Sequence, residues 1–198
     1  IRSTFSGIGT YSELLLQAMS RQPIKHEYLV LVHSSYRGEL GLPDNFDIIT
    51  DDAQPVSLQT LFRMQKHVRA YAPDIFHSML PLWPLPIAND YPTVATVYDL
   101  QPLLDPNFTS GRSHLKRRAY DIFYHFAYRQ CFTRADYLVT ISYATKRDIA
   151  RCVPQAAEQV LAAARTLDNP FGIAFTGANV MIVVLGSIAV LAVLSLII

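Results

Sequence analysis

After Asp168 the chain has no charged residue; it has only two cysteines, one tryptophan and a formal net charge of +1 over 198 residues. Each shortage excludes something. Cys131 and Cys152 make neither a metal-type cluster nor a disulfide framework, and read as two ordinary thiols in a reducing compartment. A charge balance near zero gives no bulk electrostatic hold on nucleic acid. No basic-then-apolar signal peptide opens the chain, which begins at Ile1. Gly7 and Gly9 are not followed by a third glycine at dinucleotide spacing, nor by a Walker lysine. No acidic residue follows a clear second strand either, which argues against a nucleotide-dependent oxidoreductase. Asn107-Phe108-Thr109 matches a glycosylation sequon and reads as a chance match in a cytosolic loop.

What is present at the carboxyl end is hydrophobic. Residues 169–198 are uncharged, and Val180–Ile198 is nearly unbroken Val, Ile, Leu and Ala. Nineteen residues at helical rise span roughly 28 Å, the thickness of a hydrocarbon core. Its 13 Val, Ile and Leu residues would favour insertion by roughly 4–8 kcal/mol. The expectation is a transmembrane helix within residues 170–198, a single-pass C-terminal anchor. Arg165 and a basic helix lie on its N-terminal side, so the charge rule leaves the soluble domain cytoplasmic.

The preceding residues alternate between two periods. Ile8, Tyr11, Leu14, Leu15, Ala18 and Met19 give a helical stripe, with Gly7 and Gly9 at its start and Pro23 beyond its end. Glu27–His33 is an apolar run suited to a strand buried on both faces. Phe46–Thr50 reads as a strand after the turn-prone Pro43-Asp44-Asn45, and Val56–Tyr71 as a helix. Asp74–His77 and Thr93–Tyr98 read as strands, followed by a proline-punctuated loop over Leu100–Phe108. His114–Phe132 is the longest soluble helix, with Leu115, Ala119, Ile122, Phe123, Phe126, Ala127 and Gln130 on one side. Tyr137–Ile141 is a fifth strand and Tyr143–Cys152 a further helix. The Ala-rich stretch Pro154–Leu167 predicts a connecting helix into the membrane span. Strands alternating with helices imply an α/β domain over residues 1–153 with a Rossmann-like parallel sheet, then a connector over 154–169.

Such sheets bind ligands outside the carboxyl ends of their strands, which directs attention to His33, His77, Tyr98-Asp99 and Ser142. Gly7-Ile8-Gly9 could bring backbone N–H groups to a phosphate at a helix start, or could be a plain loop-to-helix junction. Asp99 could accept hydrogen bonds from sugar hydroxyls, or cap the following loop through its own backbone. His77 could bind an acceptor or carry protons near neutral pH, or be a structural histidine. Ser142 leads a polar set with Lys146 and Arg147 and could equally be the N-cap of the helix from Tyr143. His114–Arg118 clusters cations that could meet anionic lipid headgroups; a solvated helix face is the favoured reading.

The order of these pieces says more than any one of them. SGIGTYSELLLQAMSR, PDIFHSMLPLWPLP, PTVATVYDLQPLLDPNF and RRAYDIFYHFAYRQCFTRADYLVTISYATKRDIAR together resemble the N-terminal domain of family 4 glycosyltransferases of the GT-B fold, from about Ser6 to Arg151. The resemblance implies retaining sugar transfer from a nucleotide sugar to a glycan or glycolipid acceptor. The donor is a co-substrate, and no cofactor or obligatory metal is implied. It places Gly7, Ile8 and Gly9 near donor phosphates and acceptor, and Asp99 beside the reacting sugar as the best catalytic candidate. His77, Tyr98 and Ser142 join the glycines as substrate-binding candidates. The family often has His-Asp where this chain has Tyr98-Asp99, so no histidine role carries over to Tyr98. Two parts of the pattern are missing: the strand before the glycine turn, and the second domain with its basic residue and paired glutamates. The expectation is a fragment without transferase activity of its own. The alternative is a non-catalytic, membrane-anchored partner or regulator of a full-length transferase.

Overall fold

A computed structural model describes residues 7–21, 26–34, 40–53, 57–85, 91–162 and 179–184. The chain forms two compact units, the first made of Ile1–Met79, Pro84–Tyr91 and Ala174–Ile198, the second of Leu80–Trp83 and Pro92–Ile173.

The first unit contains α1 (Gly7–Ser20), β1 (Glu27–His33), β2 (Phe46–Asp51), α2 (Leu58–Tyr71) and β3 (Ile75–Ser78). β1 forms where its run of apolar residues is longest, and Tyr28 to Val32 are all buried. β2 lies beside it as an outer strand, with Tyr28 stacked on Phe46 at 4.1 Å between ring centroids. α2 has a cause at each end. The Ser57 hydroxyl accepts the Thr60 N–H at 3.2 Å, and Ala72 closes the helix in the left-handed region at φ 49°, ahead of Pro73. Its Leu61, Met64 and Val68 form the buried face.

The remaining strand of this unit comes from the far end of the chain. Asn179–Val184, here β7, runs parallel to both β1 and β3, giving the order β2-β1-β7-β3. Val30 on one side and His77 on the other are both registered against Ile182. The sequence had left β1 and β3 short of a central neighbour, and this segment provides it. It also revises the reading of the apolar tail: Val180–Val184, taken as the start of a transmembrane helix, are strand. Flanked by two parallel strands, an apolar segment satisfies its backbone groups through two ladders rather than through a helix. No helix among the described residues is long and apolar enough to cross a membrane, and residues 185–198 lie outside the described residues.

The second unit contains β4 (Thr93–Val97), α3 (Gln101–Leu104), α4 (His114–Arg134), β5 (Tyr137–Thr140), α5 (Tyr143–Cys152), a 3-10 helix (Pro154–Gln159) and β6 (Val160–Ala162). Its strands are parallel in the order β4-β5-β6. Asp136 clasps the amino ends of β4 and β5: its Oδ2 accepts the Thr93 N–H at 2.8 Å and the Thr93 hydroxyl at 2.7 Å. Thr93 is fully buried, and the carboxylate satisfies its N–H there. The connecting helix expected over Pro154–Leu167 does not form across Pro154–Ala162. Pro154 opens a tight 3-10 turn, and Val160–Ala162 pair with Leu138–Thr140 of β5. A ladder against an existing strand outweighs the modest helix preference of an Ala-rich segment.

α4 departs from its sequence reading in another way. Its buried residues are Ala127, Tyr128, Cys131 and Phe132, whereas Leu115 and Ile122, from the expected apolar side, are 79% and 63% exposed.

Candidate functional site

In the second unit, β4 ends at Val97 and releases Tyr98 and Asp99 at its carboxyl end. Thr145 donates its hydroxyl to the Tyr98 carbonyl at 2.8 Å. Ser142 sits at the matching end of β5 and caps α5, accepting the Thr145 N–H at 3.1 Å, with the two hydroxyl oxygens 3.0 Å apart. One chain of hydrogen bonds thus runs from Ser142 through Thr145 to Tyr98. The Tyr128 hydroxyl, on α4, donates to the Asp99 carbonyl at 3.1 Å. Burial, and next the nearby Asp99 charge, push the Tyr128 phenol well above its ordinary range, so it stays a donor. The Asp99 side chain is exposed, and its Oδ1 accepts the Gln101 N–H at 3.0 Å. That bond is the loop-capping role weighed from the sequence. It occupies one acceptor of a group with about four lone-pair sites, and so leaves capacity for hydroxyl groups.

Gly7, Ile8, Gly9 and His77 belong to the first unit. The glycine segment is the opening turn of α1 rather than a loop before it, and N–H groups of a first turn have no partners inside the helix. Ser12 follows, donating to the Ile8 carbonyl at 3.0 Å. His77 is fully buried in β3, and burial lowers its pKa to about 3. The ring is therefore neutral at physiological pH and offers hydrogen bonding rather than proton transfer.

Sequence reasoning missed a polar cluster at the carboxyl end of β2. Asp51 Oδ1 accepts the Ala53 N–H at 2.7 Å and Arg63 Nη1 at 3.0 Å, while Oδ2 lies 2.9 Å from His67 Nε2. Burial opposes the Asp51 charge, but the hydrogen bonds from His67, Ala53 and Arg63 prevail and hold the carboxyl below its ordinary range. Arg63 and His67 are four residues apart on α2, a spacing visible in the sequence; their shared partner across the strand is not. A small pocket beside them is lined by Leu31, Asp51, Ala53, Thr60, Arg63 and Met64. Among the described residues no group of three or more His, Cys, Asp or Glu is placed to hold a metal ion. Cys131 is buried and its thiol pushed up by burial, which keeps it protonated and unreactive.

The family model for Glycosyltransferase Family 4 matches residues 5–160. The chain belongs to glycosyltransferase family 4. The match runs from just before α1 to the first residue of β6, and so takes in all the candidate residues of both units. Searches of curated proteins and of solved structures returned no match. For a member of this family, the carboxyl ends of parallel strands are where sugar-related substrates are to be sought. Tyr98, Asp99 and Ser142 occupy such ends in the second unit.

Proposed function

We propose that this family 4 chain is the acceptor-side domain of a retaining, nucleotide-sugar-dependent glycosyltransferase. The observation that carries the reading is Asp99, an exposed carboxylate at the carboxyl end of β4 with one oxygen held by Gln101. Asp99 accepts hydroxyl groups of the reacting sugar. Tyr98 and Ser142 border it, joined through Thr145. In the first unit, taken by itself, the opening turn of α1 from Gly7 to Gly9 has N–H groups suited to phosphate oxygens, whereas the neutral ring of His77 is buried within β3. Positive charge and oriented N–H groups must meet the leaving phosphate as the sugar bond breaks. In this reading a second domain supplies most of them, with no obligatory metal and no cofactor beyond the donor.

Saccharide binding tests the reading directly. Saturation-transfer NMR with simple glycans and a short-chain glycolipid should detect contact with the purified chain. Asp99→Ala should weaken binding about tenfold, as expected for loss of a hydrogen bond to a charged group, with Asp99→Asn in between. Uridine and guanosine diphosphate sugars should not be turned over by this chain alone. Unchanged binding in Asp99→Ala would overturn the site, and turnover would overturn the acceptor-only role. Saccharide binding without turnover even when a family donor domain is added favours the partner-or-regulator role instead.

The uncharged, apolar residues 185–198 that follow β7 in the sequence support a second element, attachment to a membrane with the units on the cytoplasmic side. Retention in the membrane fraction through alkaline carbonate extraction is the result this predicts.

A further inference from the structure

α4 carries two apolar faces, and only one of them meets the core. Its 21 residues place Ala127, Tyr128, Cys131 and Phe132 against the second unit. At 100° per residue, Leu115, Ala119, Ile122 and Phe126 fall within a narrow stripe on the opposite side of the helix. The exposures agree: Leu115 is 79% and Ile122 63% accessible, Ala119 is exposed and Phe126 half-buried. Arg118, His125 and Arg129 line one margin of this stripe and are all exposed. Lys116, also exposed, lies on the other margin. The one acidic residue of the helix, Asp121, is turned away from the stripe and accepts the Thr109 hydroxyl at 2.9 Å.

We propose that this outward face of α4 is a docking surface for an anionic lipid bilayer. Charge complementarity selects the occupant. An apolar ridge bordered by cations and free of carboxylates matches the boundary between acyl chains and anionic headgroups. A protein partner of ordinary mixed charge gives the stripe no reason to lack acids. The leucine and isoleucine enter the acyl boundary while the long basic side chains stay at headgroup level. The apolar tail plays no part in this contact, and its binding would be indifferent to headgroup charge.

Vesicle co-sedimentation of the full chain distinguishes these sources. Phosphatidylglycerol vesicles should be bound at least tenfold more tightly than phosphatidylcholine vesicles. The preference should fall as salt rises from about 0.1 to 0.5 M, where the Debye length shortens by roughly half. Leu115→Ser with Ile122→Ser should weaken binding to both vesicle types by about tenfold or more, and Arg118→Glu should reduce the preference by about fivefold or more, in line with the contribution of one cation near a charged surface. Both variants change exposed positions, and unchanged circular dichroism and melting temperature would show that folding is intact. Equal binding to both vesicle types, a serine pair that binds as tightly as the parent chain, or Arg118→Glu with the full preference retained would overturn the proposal. So would a concentration-dependent dimer abolished by the serine pair, because the stripe would then be an interface between copies.

Discussion

The two units assemble parallel strands by opposite means. The second takes β4, β5 and β6 in chain order, each linked to the next by helical residues, and fastens the amino ends with Asp136. The first takes its central strand, β7, from a segment remote in sequence from β1, β2 and β3. Closing so long a loop costs entropy that grows only slowly with length, so the arrangement is thermodynamically feasible but slow to form. The lesson is that local order and sheet order are separable. A parallel sheet needs a strand in the slot, whatever its place in the chain.

Removing β7 is the strongest way to break this comparison. A chain ending at residue 178 deprives β1 and β3 of their shared neighbour, and we expect the first unit to lose cooperative protection. Amide hydrogen exchange should accelerate across Tyr28–Val32 and Ile75–Ser78, while β4 and β5 stay protected. Protection unchanged in β1 would mean that the segment does not hold the first unit together.

Acidification should act next, and again unequally. His77 is neutral when folded, with a pKa of about 3, against about 6.5 when unfolded. Between those values the unfolded chain binds the additional proton, so stability falls as pH drops below about 6.5. The loss in the first unit should reach roughly 2 kcal/mol by pH 5. Asp51, whose carboxyl is depressed, adds its own loss only as pH falls below the ordinary carboxylate range. In the second unit His114 and His125 are exposed. Exchange-derived stabilities at pH 5 and 7.5, with His77→Gln as control, should separate the units. Equal losses in both would contradict the assignment to His77.

A smaller, matched pair compares the helix starts. Ser57 and Ser142 cap α2 and α5 with the same geometry, each pairing with a threonine three residues on. Replacing either by alanine should cost about 1 kcal/mol. Only Ser142→Ala should also weaken saccharide binding, since only that cap connects to Tyr98. An equal effect of Ser57→Ala on binding would argue that the second unit holds no saccharide site.

The sequence pattern made much of this legible where the determinants are local. β1 and α5 have the bounds that hydrophobic run and period indicate, and Ser142 carries the capping role weighed for it. Non-local determinants were hidden. A Val- and Ile-rich run satisfies the rule for a membrane helix and for a buried strand alike, and length alone decided for the helix. β6 is a strand because β5 offers it a ladder, which no propensity scale registers. In α4, periodicity finds apolar positions but does not say which of two stripes faces the core. The Asp51–Arg63–His67 cluster is assembled across a strand–helix contact, so only its helical half could be read.

Two successive carbonyls at the end of β4 are gripped by different helices, Tyr98 by Thr145 of α5 and Asp99 by Tyr128 of α4. Neither peptide plane can swing without breaking a hydrogen bond to its helix. The carboxylate of Asp99 is therefore carried on a backbone already fixed in place, and a saccharide binding there as proposed would leave little orientational freedom to be lost.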